Sequence, residues 1–193
     1  STKHATGGEF RVEDMRLSWE ILDAFQDAAA EIGIPKTDDF NQGDNEGCGY
    51  FQVNQNKGVR WTTAKGFLKP VMDRPNLTVL TEAQATSVML KGKCCTGLTI
   101  IQKGRPACVQ AGREVILASG SIGSPQLLQL SGIGPANHLK DLGIKVNHDL
   151  SGVGENLQDH LQIRAVYKVK NTKALNERAN TVIGKMGIGL EYF

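Results

Sequence analysis

Hydrophobic and polar positions change their period along this chain, and each change predicts an element. In SWEILDAFQDAAAEIG (18–33), Trp19, Leu22, Phe25, Ala29 and Ile32 recur at spacings of three and four. That period predicts an amphipathic helix with Ser18 as its cap, stopped by Gly33 with Pro35 just beyond. GEFRV (8–12) reads as a short strand before it. Residues 37–60 carry no helical period and many Gly, Asn and Asp residues. They predict a long loop with one strand at 50–54, and loops this long are uncommon unless functional. A second helix is expected over 62–73, capped by Thr62 or Thr63.

From Leu77 the pattern turns to short β-rich runs at 76–81, 85–90, 95–101, 106–111 and 113–119. KGK (91–93) and KGR (103–105) read as hairpin tips. Helices are predicted at 125–130, opened by Ser124-Pro125, and at 135–142, closed by Gly143. A strand over 144–150, a loop over 152–160 and an alternating, half-buried strand over 161–170 follow. The tail from Asn171 has weak periodicity, and no repeat or low-complexity segment is present.

Composition narrows the function classes. The 193 residues are 40% hydrophobic and 22% charged, with a net charge of +2. That length supports one domain or two small ones. The balanced charge gives no basic face for a nucleic-acid partner. No apolar run reaches a membrane span, and no signal-peptide pattern is found. The chain starts STKHATGG without Met and ends within the pattern GIGLEYF, so a piece of a longer protein is expected. Cys48, Cys94, Cys95 and Cys108 form no CxxC, and two adjacent cysteines in a strand point to opposite faces. Reduced thiols in the cytoplasm are expected, and the NLT sequon at Asn76 then reads as chance.

Few residues carry candidate chemistry. SGSIG (119–123) lies between a strand-like run and a helix, like a hydrolase nucleophile elbow with Ser121 at its tip and Asp159-His160 downstream. Ser119, however, stands where the elbow needs glycine. Alternatively, Gly120 lets backbone N–H groups approach a nucleotide closely, because no Cβ intervenes. A well-capped junction in the core is the plain alternative. GIGPAN (132–137) and GVGENL (152–157) each lack the third glycine of GxGxxG. His138 reads as a helix-end residue and His160 as a structural hydrogen-bonding one. No spacing suggests a metal, and the Asp/Asn-rich stretch 38–47 misses the calcium-loop pattern.

Taken together, GSIGSPQLLQLSGIG (120–134), RPNLTVLT (74–81), REVILASG (113–120), GPANHLKDLGI (135–144) and GVGENLQDH (152–160) resemble the glucose–methanol–choline (GMC) family of flavin-dependent oxidoreductases. GIPKTDDFN (33–41) and GVRWTTAKGFLKP (58–70) match in the same order, so the resemblance runs from about Gly7 to Lys170. It is closest to the choline dehydrogenase-like branch. It implies an α/β fold: part of a Rossmann-like FAD-binding domain with a β-rich insertion at 75–158, between substrate-domain pieces at 1–74 and 159–193. It implies FAD as cofactor, a primary alcohol such as choline as substrate, and quinone or oxygen as electron acceptor. By position, Ala85 matches the residue whose backbone pairs with adenine. Ala118, Ser119 and Gly120 match the turn that approaches the ADP half of FAD. Asn156 and Asp159 match a segment returning toward the substrate domain. The family's main phosphate loop and catalytic histidine match nothing here, so no catalytic residue is assigned to this chain. The resemblance leaves a cytoplasmic location with room for membrane association of the longer enzyme. The competing expectation is a folded but inert fragment, or at most a weak adenine-nucleotide binder.

Overall fold

The computed structural model describes residues 3–172 and 174–192. They form two compact units, one of residues up to Thr78 together with those from Ala165 onward, the other Val79–Arg164.

In the first unit, helix α1 spans Glu20–Glu31. Trp19 rather than Ser18 is its N-cap, and no side chain caps it. The Tyr50 hydroxyl occupies that end instead: it accepts from the Trp19 N–H at 3.1 Å and donates to Asp23 Oδ1 at 2.8 Å. Gly33, at φ +91°, closes the helix as expected, with the Ile34 N–H reaching back to the Ala29 carbonyl. Of the periodic face only Ala29 is buried; Phe25 and Ile32 remain exposed.

The strand expected at 8–12 is absent; a single bridge pairs Glu13 with Val53. Within the long loop the strand expected at 50–54 is replaced by a hairpin, β1 (Gln55–Asn56) and β2 (Val59–Arg60). Lys57 and Gly58, both at positive φ, make the turn that a two-residue hairpin needs. The helix expected over 62–73 breaks into a π-type turn at Ala64–Leu68 and a 3₁₀ turn at Lys69–Val71. Pro70 has no N–H with which to continue an α-helical ladder.

In the second unit, β3 (Ala83–Lys91), β4 (Cys94–Gln102) and β5 (Arg105–Gln110) form an antiparallel meander. Its tips are the two Lys-Gly turns, with Gly92, Lys103 and Gly104 at positive φ. Irregularities interrupt the β3–β4 register between Ala85 and Ser87 and between Met89 and Leu90. The Thr99 hydroxyl lies 2.8 Å from that of Thr86 and 2.5 Å from that of Ser87, across the same pair of strands.

The runs at 76–81 and 113–119 form no strands of their own: among the described residues no neighbouring strand offers them a ladder. Helix α2 (Gly120–Leu130) follows, then β6 (Ile133–Gly134), α3 (Ala136–Asp141) and β7 (His148–Asp149), which pairs parallel with β6. Only two residues of the strand expected over 144–150 are therefore paired. Helix α3 ends at Gly143 as expected, with φ +70°. Ile100, Leu127, Leu139 and Val153 are the buried apolar side chains of this unit.

The run 161–170 makes no ladder either, and Leu161, Ile163 and Val166 are about nine-tenths exposed (93%, 88% and 93%). The tail carries helices α4 (Leu175–Ala179) and α5 (Val182–Tyr192), which its weak periodicity did not predict. The mixed helix and strand content agrees with the expected α/β class.

Candidate functional site

The chain enters α2 through Ala118, Ser119 and Gly120, all exposed. Gly120 has φ +80°, a conformation that side chains strongly disfavour, and an added Cβ there would meet nothing within 4 Å. Backbone conformation, not crowding, demands this glycine, and the space beside it is open. The helix therefore starts at Gly120, five residues before the expected opening at Pro125, which lies inside it. Pro125 removes the donor that would meet the Ser121 carbonyl one turn back. The Ser124 hydroxyl accepts the Ser119 N–H at 3.0 Å, while no side chain caps the first helical N–H groups. Those groups carry the positive end of the helix dipole toward solvent.

A cleft of about 620 Å³ runs along this end of α2 beside the loop 152–158. Ile122, Leu128, Val153 and Leu157 give it a largely apolar lining, Ser121, Ser124, Gln126, Asn156 and Gln158 add uncharged polar groups, and Glu155 is its one charged residue. Gln129 closes one side by donating from Nε2 to the Val153 carbonyl at 3.0 Å. Asn156, at φ +58°, reverses the loop. With apolar side chains, hydroxyls and amides, one carboxylate and no cation, the cleft favours uncharged groups that combine apolar contact with hydrogen bonds.

Ala85 sits elsewhere, half-buried on β3 opposite Ile100, just before the irregularity at Thr86. Its carbonyl accepts from Gln84 Nε2 at 3.1 Å. Ala118, Ser119 and Gly120 thus form one turn, and Ala85 belongs to a second element. The two are joined through Ser131, which reading the sequence missed. Its hydroxyl accepts the Val88 N–H of β3 at 2.8 Å and donates to the Leu127 carbonyl of α2 at 2.6 Å. Its own carbonyl accepts from Asn147 Nδ2 at 2.9 Å. The one local signal was a serine at a helix end, where a hydroxyl can bond back four residues.

The nucleophile-elbow geometry does not form. Ser121 lies in the first turn of α2, and no hydrogen bond joins it to a histidine among the described residues. Asp159 Oδ1 accepts the backbone N–H of His160, and both residues are exposed. His138 stands exposed on α3.

The perturbed ionisable groups lie in the first unit. Asp39 is buried; its carboxylate accepts the Asn41 N–H at 2.8 Å and faces His4 Nε2 at 2.6 Å. The backbone N–H of Asn41, followed by His4, holds this carboxyl below its ordinary value. Glu13 is lowered chiefly by the Lys57 N–H, 2.7 Å from Oε1. Loss of solvation raises the Tyr50 phenol, assisted by Asp23.

The family model for GMC oxidoreductases matches residues 5–162. The chain is 44% identical to the alcohol dehydrogenase (acceptor) of Pseudomonas putida over 165 residues, covering 84% of this chain and 30% of that protein. Identity is again 44% over 169 residues to an oxygen-dependent choline dehydrogenase of Photobacterium profundum, covering 88% and 30%. Among solved structures, pyridoxine 4-oxidase from Mesorbium loti aligns with a TM-score of 0.71 at 31% identity, over 77% of this chain and 29% of its own. An FAD-dependent oxidoreductase from Chaetomium thermophilum aligns at 0.71 and 28%, over 76% and 26%. These are oxidoreductases, and the hydrolase alternative ends with them. The chain belongs to the GMC oxidoreductase family. It spans about 30% of the length of the curated relatives it matches.

Proposed function

We propose that this chain forms part of an FAD-dependent enzyme that oxidises a primary alcohol, choline-like or another, to the aldehyde. Residues 75–158 would contribute to the FAD-binding domain, and 1–74 and 159–193 to the substrate domain. The observation that carries the reading is Gly120: a positive φ, open space beside it and uncapped helical N–H groups meet at the start of α2. The names of the two dehydrogenase relatives and the FAD-dependent structural neighbour support the substrate and cofactor classes.

These residues fit the adenosine half of FAD. Backbone at Ala85 would pair with the adenine edge, a contact that needs no particular side chain. Ala118, Ser119 and Gly120 put no bulky side chain between the turn and the ADP half. The cleft has no cation for the pyrophosphate, so hydrogen bonds would carry the contact. When bound, the flavin supplies the hydride acceptor. None of Ala85, Ala118, Ser119 and Gly120 titrates, so this chain binds and orients, and no proton transfer is assigned to it. The electron acceptor is a quinone or oxygen. The four free cysteines suit a reducing compartment, hence the cytoplasm. No helix among the described residues is long and apolar enough to cross a membrane.

The test is flavin absorbance retained after mixing with FAD and gel filtration: the full-length enzyme that carries this segment is expected to retain FAD stoichiometrically, and the isolated chain, without the main phosphate loop, to retain less. A second reading, an inert folded piece or weak nucleotide binder, draws support from the unpaired run at 113–118, where Ile116 is 78% exposed. It expects no retained flavin.

A further inference from the structure

We infer that Ser131 is a positioning residue that sets the distance between the adenine contact at Ala85 and the ADP contact at Ala118, Ser119 and Gly120. The inference rests on the FAD-binding reading above.

Ser131 has 5% exposure, and its hydroxyl bonds in both directions: it accepts from β3 and donates to α2. From that point two rigid arms extend. Along β3, Ala85 lies three residues from Val88, about 10 Å away at strand rise. Along α2, Gly120 lies eleven residues from Ser131, about 16 Å away at helical rise. A small rotation of the helix about its C-terminal end is therefore magnified at the Gly120 turn.

The neighbouring residues leave that end little freedom to compensate. Asn147 pins the Ser131 carbonyl, and Gly132, at φ +76°, would place an added Cβ 2.2 Å from the Lys145 carbonyl oxygen. The hydroxyl link from Val88 through Ser131 to Leu127 is the hydrogen-bonded path that couples the two arms. Removing it strands the Val88 N–H and lets α2 shift against β3. A ligand that spans both contacts would feel the shift, whereas one touching only β3 would not.

The test compares ADP with adenosine, both titrated calorimetrically into the flavin-free full-length enzyme that carries this chain and into its variants. Ser131→Ala is expected to weaken ADP about tenfold, the worth of one well-made buried hydrogen bond, and adenosine by less than about twofold. Ser131→Thr keeps the hydroxyl and should restore ADP to within about threefold. Ser131→Cys, which keeps the size but bonds more weakly, should give an intermediate ADP-selective loss should the alanine variant fail to fold. Equal weakening of both ligands, or of neither, in a folded variant overturns the positioning role and leaves the FAD-binding reading standing. Failure of the unmodified full-length enzyme to bind either ligand overturns that reading and the inference with it.

Discussion

Between Val79 and Arg164, a three-stranded ladder and four buried apolar side chains, Ile100, Leu127, Leu139 and Val153, hold the structure. In the unit of residues up to Thr78 and from Ala165 onward, Ala29 is the one buried hydrophobic among the described residues. There carboxylates and hydroxyls hold the backbone instead: Glu13 accepts the Lys57 N–H, Asp39 that of Asn41, and Tyr50 that of Trp19. The first arrangement rests on backbone pairing and apolar burial, neither of which depends on protonation. The second depends on two ionised groups, so pH should separate the units.

Leu139 is fully buried, and Leu139→Ala should produce the largest effect, destabilising the second unit by about 3 kcal/mol. Denaturant unfolding followed by hydrogen exchange in β3–β5 would show it; a loss below about 1 kcal/mol would mean the apolar core is not what holds this unit.

Acid should act next, and on the other unit. Glu13 and Asp39 titrate lower folded than their ordinary 4.5 and 3.8. A depressed folded value means the stability they lend is complete above those ordinary values and is lost as pH falls below them, through the lower folded values. Both tryptophans, Trp19 and Trp61, lie in this unit. Their fluorescence should therefore change on acidification while exchange protection in β4 persists. The double variant Glu13→Gln, Asp39→Asn should flatten the change; a transition common to both units would erase the distinction.

A smaller effect is expected from Thr99→Val, which removes a hydroxyl shared with Thr86 and Ser87. It should cost about 1 kcal/mol, in the second unit only. Smallest of all, Ile116→Ser should change thermal stability by less than about 0.5 kcal/mol, because that side chain is already exposed.

What the sequence revealed cuts across that division. The meander was legible because alternation and Lys-Gly turns are local signals, and α1 because its period and Gly33 are. The runs at 113–119 and 161–170 carry an equally strand-like pattern, yet a strand exists only where a neighbouring ladder meets it. The Tyr50 contact at α1 was invisible because its partners are 31 and 27 residues away.

At the candidate site, Gly120 was legible as a glycine that backbone needs. The start of α2 was not. Pro125 is common in a first helical turn, but the positive φ at Gly120 and the bond from Ser119 to Ser124 let the helix begin earlier. Ser131 escaped notice because its partner on β3 lies 43 residues away in the chain.

Strand β5 has a practical consequence for anyone concentrating this protein. All six of its residues are exposed, and among the described residues β4 is its sole neighbour in the sheet. Such a margin invites a second molecule to add its own strand, the first step toward fibrils. Pro106 removes one of the donors such pairing needs, and Arg105 adds a charge at the turn. These two residues guard solubility, and replacing both with valine would favour aggregation in concentrated solution.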